Sequence, residues 1–138
     1  MTAQIAEILV YSGTEMALLT TPLEPFLEHS GCRLDSPIHC SGLRRGYIGT
    51  WEIKANGLFL NHLTILGTDN DLNHLTKVFP SASGPVFANW FSGTLRVPKG
   101  RVVKRVHCGF FREYEGYLLV NVQRGNVIFE GTKGCEPQ

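Results

Sequence analysis

Short runs in which apolar and polar positions alternate follow one another along most of the chain. Three pairs of runs flank candidate tight turns: IAEILVY and TEMALLT around Ser12-Gly13, LRRGYIGTWEI and LFLNHLTIL around Ala55-Asn56-Gly57, and GYLLVNVQ and VIFEG around Arg124-Gly125-Asn126. β-Rich runs on either side of Gly or Asn are typical of hairpins, and Asn-Gly is the strongest such signal in the chain. The pattern therefore predicts three hairpins.

The run YIGTWEI predicts a strand with Tyr47, Gly49, Trp51 and Ile53 on one face, since successive strand residues point to opposite sides. Gly49 beside Trp51 leaves room for the indole ring to lie across the sheet, or for a bend. Aromatic residues in a small β-fold are mostly core residues. We therefore predict a structural aromatic core of Trp51, Phe87, Trp90 and Phe91. Alternatively, these rings line a ligand pocket in the mouth of a barrel.

Two segments between the predicted strands have a different pattern. Residues 21–42 hold three prolines and polar clusters, which predict a long loop with one helical turn over Leu23 to His29. Apolar residues spaced three and four apart between positions 72 and 79 predict a short helix that Pro80 stops.

Residues 85–100, PVFANWFSGTLRVPKG, predict a turn or one helical turn followed by a strand. A second turn is predicted at Pro98-Lys99-Gly100, leading into the strand RVVKRVHCGFF. About eight strands joined by hairpin-length turns predict a mainly β fold, an antiparallel barrel or sandwich with one or two short helical turns. No repeat or linker divides the chain, so residues 1–138 are predicted to be a single domain with a frayed tail at 132–138.

Composition and charge restrict the class of protein. The chain has 138 residues, of which 43% are apolar and 18% charged, as expected for one folded domain. Its formal net charge of +1 gives no reason to expect nucleic acid or an acidic membrane as partner. No basic segment precedes an apolar run at the start, and no run approaches the roughly 20 apolar residues of a spanning helix. A cytoplasmic location is expected.

The cysteines are expected to be reduced, because no export signal is recognised. The string HSGCRLDSPIHC offers imidazole and thiolate groups to zinc, but the adjacent His39 and Cys40 do not easily point at one ion from an extended chain. We therefore predict no metal site and four free thiols, Cys32, Cys40, Cys108 and Cys135. No cofactor is predicted either, because no glycine-rich nucleotide motif, phosphate loop or Cys-x-x-Cys pair is present.

Ser92 is the candidate nucleophile in the segment WFSGT. The surrounding residues do not form the Gly-x-Ser-x-Gly elbow, and a serine nucleophile also needs a base held by a third group. His62, His74 and His107 are possible bases, but nothing places one of them near Ser92. A turn after two buried aromatic residues explains Ser92 better, and no catalytic residue is predicted.

Basic residues concentrate in RVPKGRVVKRVH and in LRRGY. Together they predict a positively charged binding surface formed by Arg44, Arg45, Tyr47, Arg96, Lys99, Arg101, Lys104 and Arg105. Such a surface could bind nucleic acid or phosphate, could steer an acidic protein partner, or could be an ordinary solvated hairpin. The net charge near zero argues against a dedicated nucleic-acid binder.

Several segments resemble a family of small, uncharacterised bacterial proteins. Members share an Arg-Gly-Tyr followed by a Trp-x-Ile strand, and a Val-Phe-Ala-x-Trp-Phe-x-Gly segment before a strand that ends at proline. The resemblance spans roughly residues 43 to 130 and implies a bacterial origin but no particular activity. The matching positions are Arg45, Gly46, Tyr47, Trp51, Ile53, Val86, Phe87, Ala88, Trp90, Phe91, Gly93, Leu95, Arg96 and Pro98.

The sequence thus favours a non-enzymatic binding module that recognises another protein, as an immunity or adaptor protein would. The loop at 21–42 and the basic hairpin around Pro98-Lys99-Gly100 are the predicted partner surfaces, because loops on a rigid sheet often carry recognition. Two alternatives stay open. One is a small-molecule binder with an aromatic-lined barrel mouth, and the other is a hydrolase or other enzyme whose groups converge only in three dimensions.

Overall fold

The computed structural model describes residues 4–32, 34, 36, 38, 40–68, 72–105 and 112–134, with the backbone alone for 99–105, 112–116 and 132–134. These residues form eight strands, one α-helix and one 3-10 turn. In chain order they are β1 (Glu7–Tyr11), β2 (Thr14–Leu18), α1 (Glu24–Ser30), β3 (Tyr47–Lys54), β4 (Gly57–Ile65), the 3-10 turn (Leu75–Lys77), β5 (Val86–Phe87), β6 (Gly93–Arg105), β7 (Arg112–Gln123) and β8 (Asn126–Gly134).

The strands form one sheet in the order β2-β1-β3-β4-β8-β7-β6, with β5 also paired to β4. Its two ends meet, because the Leu19 amide donates to the Arg96 carbonyl over 2.8 Å and the Arg96 amide donates to Thr20 Oγ1 over 3.0 Å. The sheet is therefore a nearly closed barrel, which confirms the predicted mainly β architecture.

One neighbouring pair of strands is parallel. β1 runs alongside β3 with Ile8 opposite Thr50 and Tyr11 opposite Ile53, whereas the other strand pairs are antiparallel. A parallel pair needs a long crossover connection. Here the connection from β1 to β3 contains β2, which is antiparallel to β1, and the predicted loop at residues 21–42. The helical turn predicted near residues 23–29 is confirmed as α1.

Three two-residue turns close the predicted hairpins. Both residues of Ser12-Gly13, of Ala55-Asn56 and of Arg124-Gly125 have positive φ, between 49° and 83°. This is the conformation of the type I′ turns that match the twist of paired strands. The hairpins are confirmed, although Gly57 is already the first residue of β4 and Ala55 takes the first turn position.

The turn predicted at Pro98-Lys99-Gly100 is wrong. β6 continues from Gly93 to Arg105 and stays paired to β7, with shifts of register between Lys99 and Lys104 that absorb extra residues. β6 is the last strand of the sheet order, and an edge strand tolerates proline within it. The basic residues of this region therefore lie along a strand.

Other boundaries also differ from the sequence-based prediction. The helix expected between positions 72 and 79 is a 3-10 turn of three residues, and Val86–Phe87 forms β5 instead of a helical turn. β8 continues to Gly134, so residues 132–134 belong to a strand, and the rest of the predicted tail lies outside the described residues.

The core fills the barrel and the space between it and α1. Trp51 and Phe91 are buried, and the half-buried Trp90 packs against this core. Phe87 is also half-buried, and its ring lies 5.4 Å from the Phe59 ring, measured between centroids. The Trp90 ring stacks on Phe79 at 5.3 Å and meets Phe26 of α1 at 5.0 Å, and its Nε1 donates to the Pro22 carbonyl. These aromatic rings fix α1 on the barrel.

Gly49 is required by the close packing around the Trp51 indole. A Cβ atom at position 49 would lie 2.7 Å from Trp51 Nε1 and 2.8 Å from Glu7 Oε1. We expect Gly49→Ala to lower the free energy of unfolding by about 1–3 kcal/mol, the usual cost of overpacking a core. Urea unfolding followed by tryptophan fluorescence measures this cost.

Gly84→Ala is the matched control, because a Cβ atom at position 84 meets nothing within 4 Å. Its stability should equal that of the unmodified protein or slightly exceed it. Equal stabilities of the two alanine variants would contradict this account of Gly49.

Candidate functional site

A buried glutamate, Glu7, organises the centre of the candidate site. Its Oε2 atom accepts hydrogen bonds from Arg45 Nη2 (2.7 Å), Arg45 Nε (3.2 Å) and the Gly49 amide (2.9 Å). Its Oε1 atom accepts one from Trp51 Nε1 (3.1 Å). The Glu7 side chain is fully buried and that of Arg45 is 8% exposed, so this ion pair is shielded from water.

The parallel pairing of β1 with β3 places these groups together. Leu9 lies opposite Trp51, so two residues back along both strands Glu7 lies level with Gly49. The segment before β3 is held to the N-terminal segment, because the Ile5 amide donates to the Gly42 carbonyl and the Arg44 amide donates to Gln4 Oε1. These bonds hold the backbone next to Arg45 in position.

Burial dominates the electrostatics of the carboxyl group. Desolvation raises the pKa of Glu7 above its ordinary value, and this shift is opposed by the Arg45 guanidinium and by the N–H donors of Gly49 and Trp51. All four hydrogen bonds are donated to the Glu7 oxygens, and an ionised carboxylate can accept them because it carries no proton.

Tyr47 extends the network toward α1. Its hydroxyl donates to Glu24 Oε1 over 2.9 Å, and the Arg45 guanidinium lies 5.5 Å from the centre of its ring. Burial, together with the negative charges of Glu7 and Glu24, raises the pKa of Tyr47 far above its ordinary value. Tyr47 therefore acts as a neutral hydrogen-bond donor.

An open depression of about 510 Å³, here called the α1 cleft, lies beside this network. Pro25 in the first turn of α1 and the left-handed Gly31 after its last turn set the ends of the helix that forms one wall. The cleft is lined by Glu24, Leu27, Glu28, Gly31, Cys32, Leu34, Arg45 and Tyr47. It thus combines apolar leucines with carboxyl groups.

The carboxyl groups give the α1 cleft its charge. Glu24 and Glu28 are one helical turn apart on α1, while the Arg45 guanidinium is bonded to Glu7. The cleft therefore suits a cationic group with an apolar stem. Across the part of the chain that the structure describes, no group of three or more potential metal-ligating side chains lies close together.

The predicted basic surface divides into three parts. Arg45 and Tyr47 come together in the α1 cleft, and Arg44 is exposed beside them. Arg96 is exposed on β6 with its guanidinium 4.7 Å from the centre of the Tyr117 ring. For the remaining members only the β6 backbone is described; these are Lys99, Arg101, Lys104 and Arg105.

The serine and histidine candidates have local roles. Ser92 is exposed, and its Oγ accepts a hydrogen bond of 2.9 Å from the Arg124 amide in the β7–β8 turn. His62 Nδ1 and His74 Nε2 each lie within hydrogen-bond distance of a nearby threonine hydroxyl, whereas His107 lies outside the described residues. Ser92 thus holds the turn into β8, in line with the turn role favoured from the sequence.

The zinc string is described only in part. Cys32 and Cys40 are free thiols, and Cys32 Sγ lies 3.9 Å from the Lys77 carbonyl oxygen. His39 lies outside the described residues, as do Cys108 and Cys135.

Sequence reasoning missed Glu7, Glu24 and Glu28. For Glu7 a signal exists: it shares a strand face with Leu9, so a charged residue stands at a core-facing position of β1. A buried carboxyl group needs hydrogen-bond partners, which points to a polar network. The glutamates of α1 carry no such signal, because acidic residues on a short helix are usually solvated.

No family model matches the sequence, and comparison with curated proteins and with solved structures finds no match either. The resemblance to small bacterial proteins therefore stays a prediction. Among the described residues, no helix is long and apolar enough to cross a bilayer.

Removing the Arg45 guanidinium should lower the free energy of unfolding much more than removing the neighbouring Arg44 guanidinium. Arg45→Met leaves a buried carboxylate without its counter-ion, and we expect a loss of about 3–5 kcal/mol in unfolding free energy at neutral pH. Arg44→Met is the matched control at an exposed position and should change stability by less than about 0.5 kcal/mol.

The loss should depend on pH in a defined direction. The folded-state pKa of Glu7 is raised above the unfolded value of 4.5, so its ionisation lowers stability as the pH rises through this window. The Arg45→Met penalty should therefore shrink in urea unfolding as the pH is lowered, and should be smallest well below pH 4.5, where Glu7 is protonated in both states. A penalty that is independent of pH would contradict this assignment.

Proposed function

We propose that the protein is a non-enzymatic binding module that recognises another protein, and that the α1 cleft receives a basic side chain of that partner. The observation that carries the proposal is the pairing of Glu24 and Glu28 with apolar Leu27 in one open cleft. A lysine or arginine side chain has the complementary form, because its stem packs on apolar surface while its head stays charged.

Hydrogen bonds and burial hold the side chains around the cleft in position. Glu24 is held by the Tyr47 hydroxyl, and Tyr47 is buried next to the Glu7–Arg45 pair. A recognition site whose groups are already positioned loses little conformational entropy when a partner binds. The volume of the cleft lies within the range of about 300–1,000 Å³ that is usual for ligand sites.

Binding is favoured over catalysis because Tyr47, Arg45 and Cys32 each already contact a hydrogen-bond partner. The Tyr47 hydroxyl donates to Glu24, and its raised pKa keeps the phenol protonated, so no phenolate is available as a base. Arg45 is bonded to Glu7, and Cys32 lies against a backbone carbonyl. These contacts supply no pair of nucleophile and general base.

The second candidate function is the binding of a small cationic molecule in the same cleft. The alternative of an aromatic-lined barrel mouth is less favoured, because Phe26, Phe79 and Trp90 pack on each other with ring centroids 4.7–5.3 Å apart. The volume of the α1 cleft supports the binding of a small cationic molecule there.

A displayed library of random peptides tests the proposal without knowledge of the partner. The protein should enrich peptides that contain lysine or arginine at 50 mM NaCl, and Glu28→Gln should weaken the selected peptides by about 2- to 5-fold, the usual scale of one exposed ion pair. Glu15→Gln, at an exposed position on β2, is the matched control and should bind as the unmodified protein does. High salt should reduce the difference.

Absence of enrichment, or equal binding by both glutamine variants, would contradict the proposal. Butylamine, tested by displacement of a selected peptide, separates the two candidates. If it binds as tightly as the peptide, the small-molecule function is favoured over protein recognition.

A further inference from the structure

β8 loses one of its two neighbouring strands near its start. Its pairing with β4 consists of Gly57 opposite Asn126, next to which the Val127 amide donates to the Asn56 carbonyl over 2.8 Å. On its other side β8 stays paired with β7 as far as Gly134. Among the described residues, no strand pairs with the outer edge of residues 128–134, which we call the β8 edge.

Two other borders of the sheet have partners within the described residues. β5 pairs with β4 through Phe59 opposite Phe87, and the end of β2 is hydrogen-bonded to β6. The β8 edge has no such partner, so one side of a paired strand stays open among the described residues. Unpaired backbone groups at such an edge can hydrogen-bond to an added strand.

Two large apolar side chains are exposed on this segment. Ile128 is 61% and Phe129 60% exposed, although they are consecutive in a strand. The register explains this exposure, because Val127 lies opposite Val122 and Phe129 opposite Asn121, so that Ile128 is an extra residue. A bulge of this kind redirects side chains.

The Phe129 ring is already positioned. A Cβ atom at Gly131 would lie 3.0 Å from the ring, so the ring leans over the glycine and covers its backbone. Glu130, the residue between them, receives a hydrogen bond from the Tyr11 side chain of β1. One face of the ring is thus held by the strand while the rest is presented to solvent.

We propose that the β8 edge binds an extended segment of another protein as an added strand, with an apolar side chain of that segment packed against Phe129. The free backbone edge requires an extended occupant, and the exposed Ile128 and Phe129 side chains require an apolar one. A second copy of this chain fits less well, because β8 is interrupted by its own bulge at Ile128 and a symmetric pair centred on Glu130 opposes two carboxylates. The inference is independent of the α1 cleft.

The probe is a neutral, end-blocked peptide of alternating threonine and valine, which has no basic group for the α1 cleft. Hydrogen exchange of the backbone amides should slow at least threefold in residues 128–134 when the peptide is added in excess. The same peptide with an N-methyl group on every residue keeps its side chains but loses the donors of both edges, so it should give no protection. Protection by both peptides, or by neither, would overturn the proposal.

Phe129→Thr tests the apolar contact, since threonine retains β-propensity. It should weaken the peptide about 3- to 10-fold, whereas Leu72→Thr, which alters another exposed apolar residue, should not. Equal affinities of the two variants would contradict the role of Phe129. Sedimentation of the free protein gives the remaining outcome: a dimer whose β8 amides are protected without peptide would assign the edge to a second copy and overturn the proposal.

Discussion

The buried carboxyl group of Glu7 is the constraint on which the rest of the structure depends. A buried charge without partners is very costly, so the chain has to supply donors from every side. Arg45, Gly49 and Trp51 supply them, and the parallel pairing of β1 with β3 brings all three within reach. One polar group thereby fixes the relative position of two strands that a hairpin does not connect directly.

The same network sets the position of the α1 cleft. Trp51 meets the edge of Trp90, which contacts Phe26 of α1, so packing continues from the Glu7 donors to the helix. A second connection runs through the hydroxyl of Tyr47 to Glu24. The cleft therefore has a wall that is anchored twice to the barrel core. The β8 edge, by contrast, lies where the pairing of β8 with β4 ends and depends on backbone groups.

The sequence predicted the strands and hairpins because period-2 patterns and turn residues act locally. It also related Gly49 to the Trp51 ring, a contact between residues two apart. The parallel β1–β3 pair and the α1 cleft depend on contacts between residues about 20 to 40 positions apart, which local patterns do not encode. The turn at Pro98-Lys99-Gly100 was wrong because an edge strand accommodates proline and bulges that normally indicate a turn. Charge alone predicts the basic surface, and it does not reveal that Arg45 pairs with the buried Glu7.

The indole N–H of Trp51 reports most directly on the central interaction. Nitrogen-detected NMR of the two tryptophans across a pH titration should show slow hydrogen exchange at Trp51 Nε1 and a chemical shift that follows ionisation of Glu7. Trp90 Nε1, which donates to the Pro22 carbonyl, serves as the internal control and should not follow that ionisation. The pH dependence at Trp51 should disappear in Glu7→Gln. Fast exchange at Trp51, or the same titration in the glutamine variant, would contradict the account.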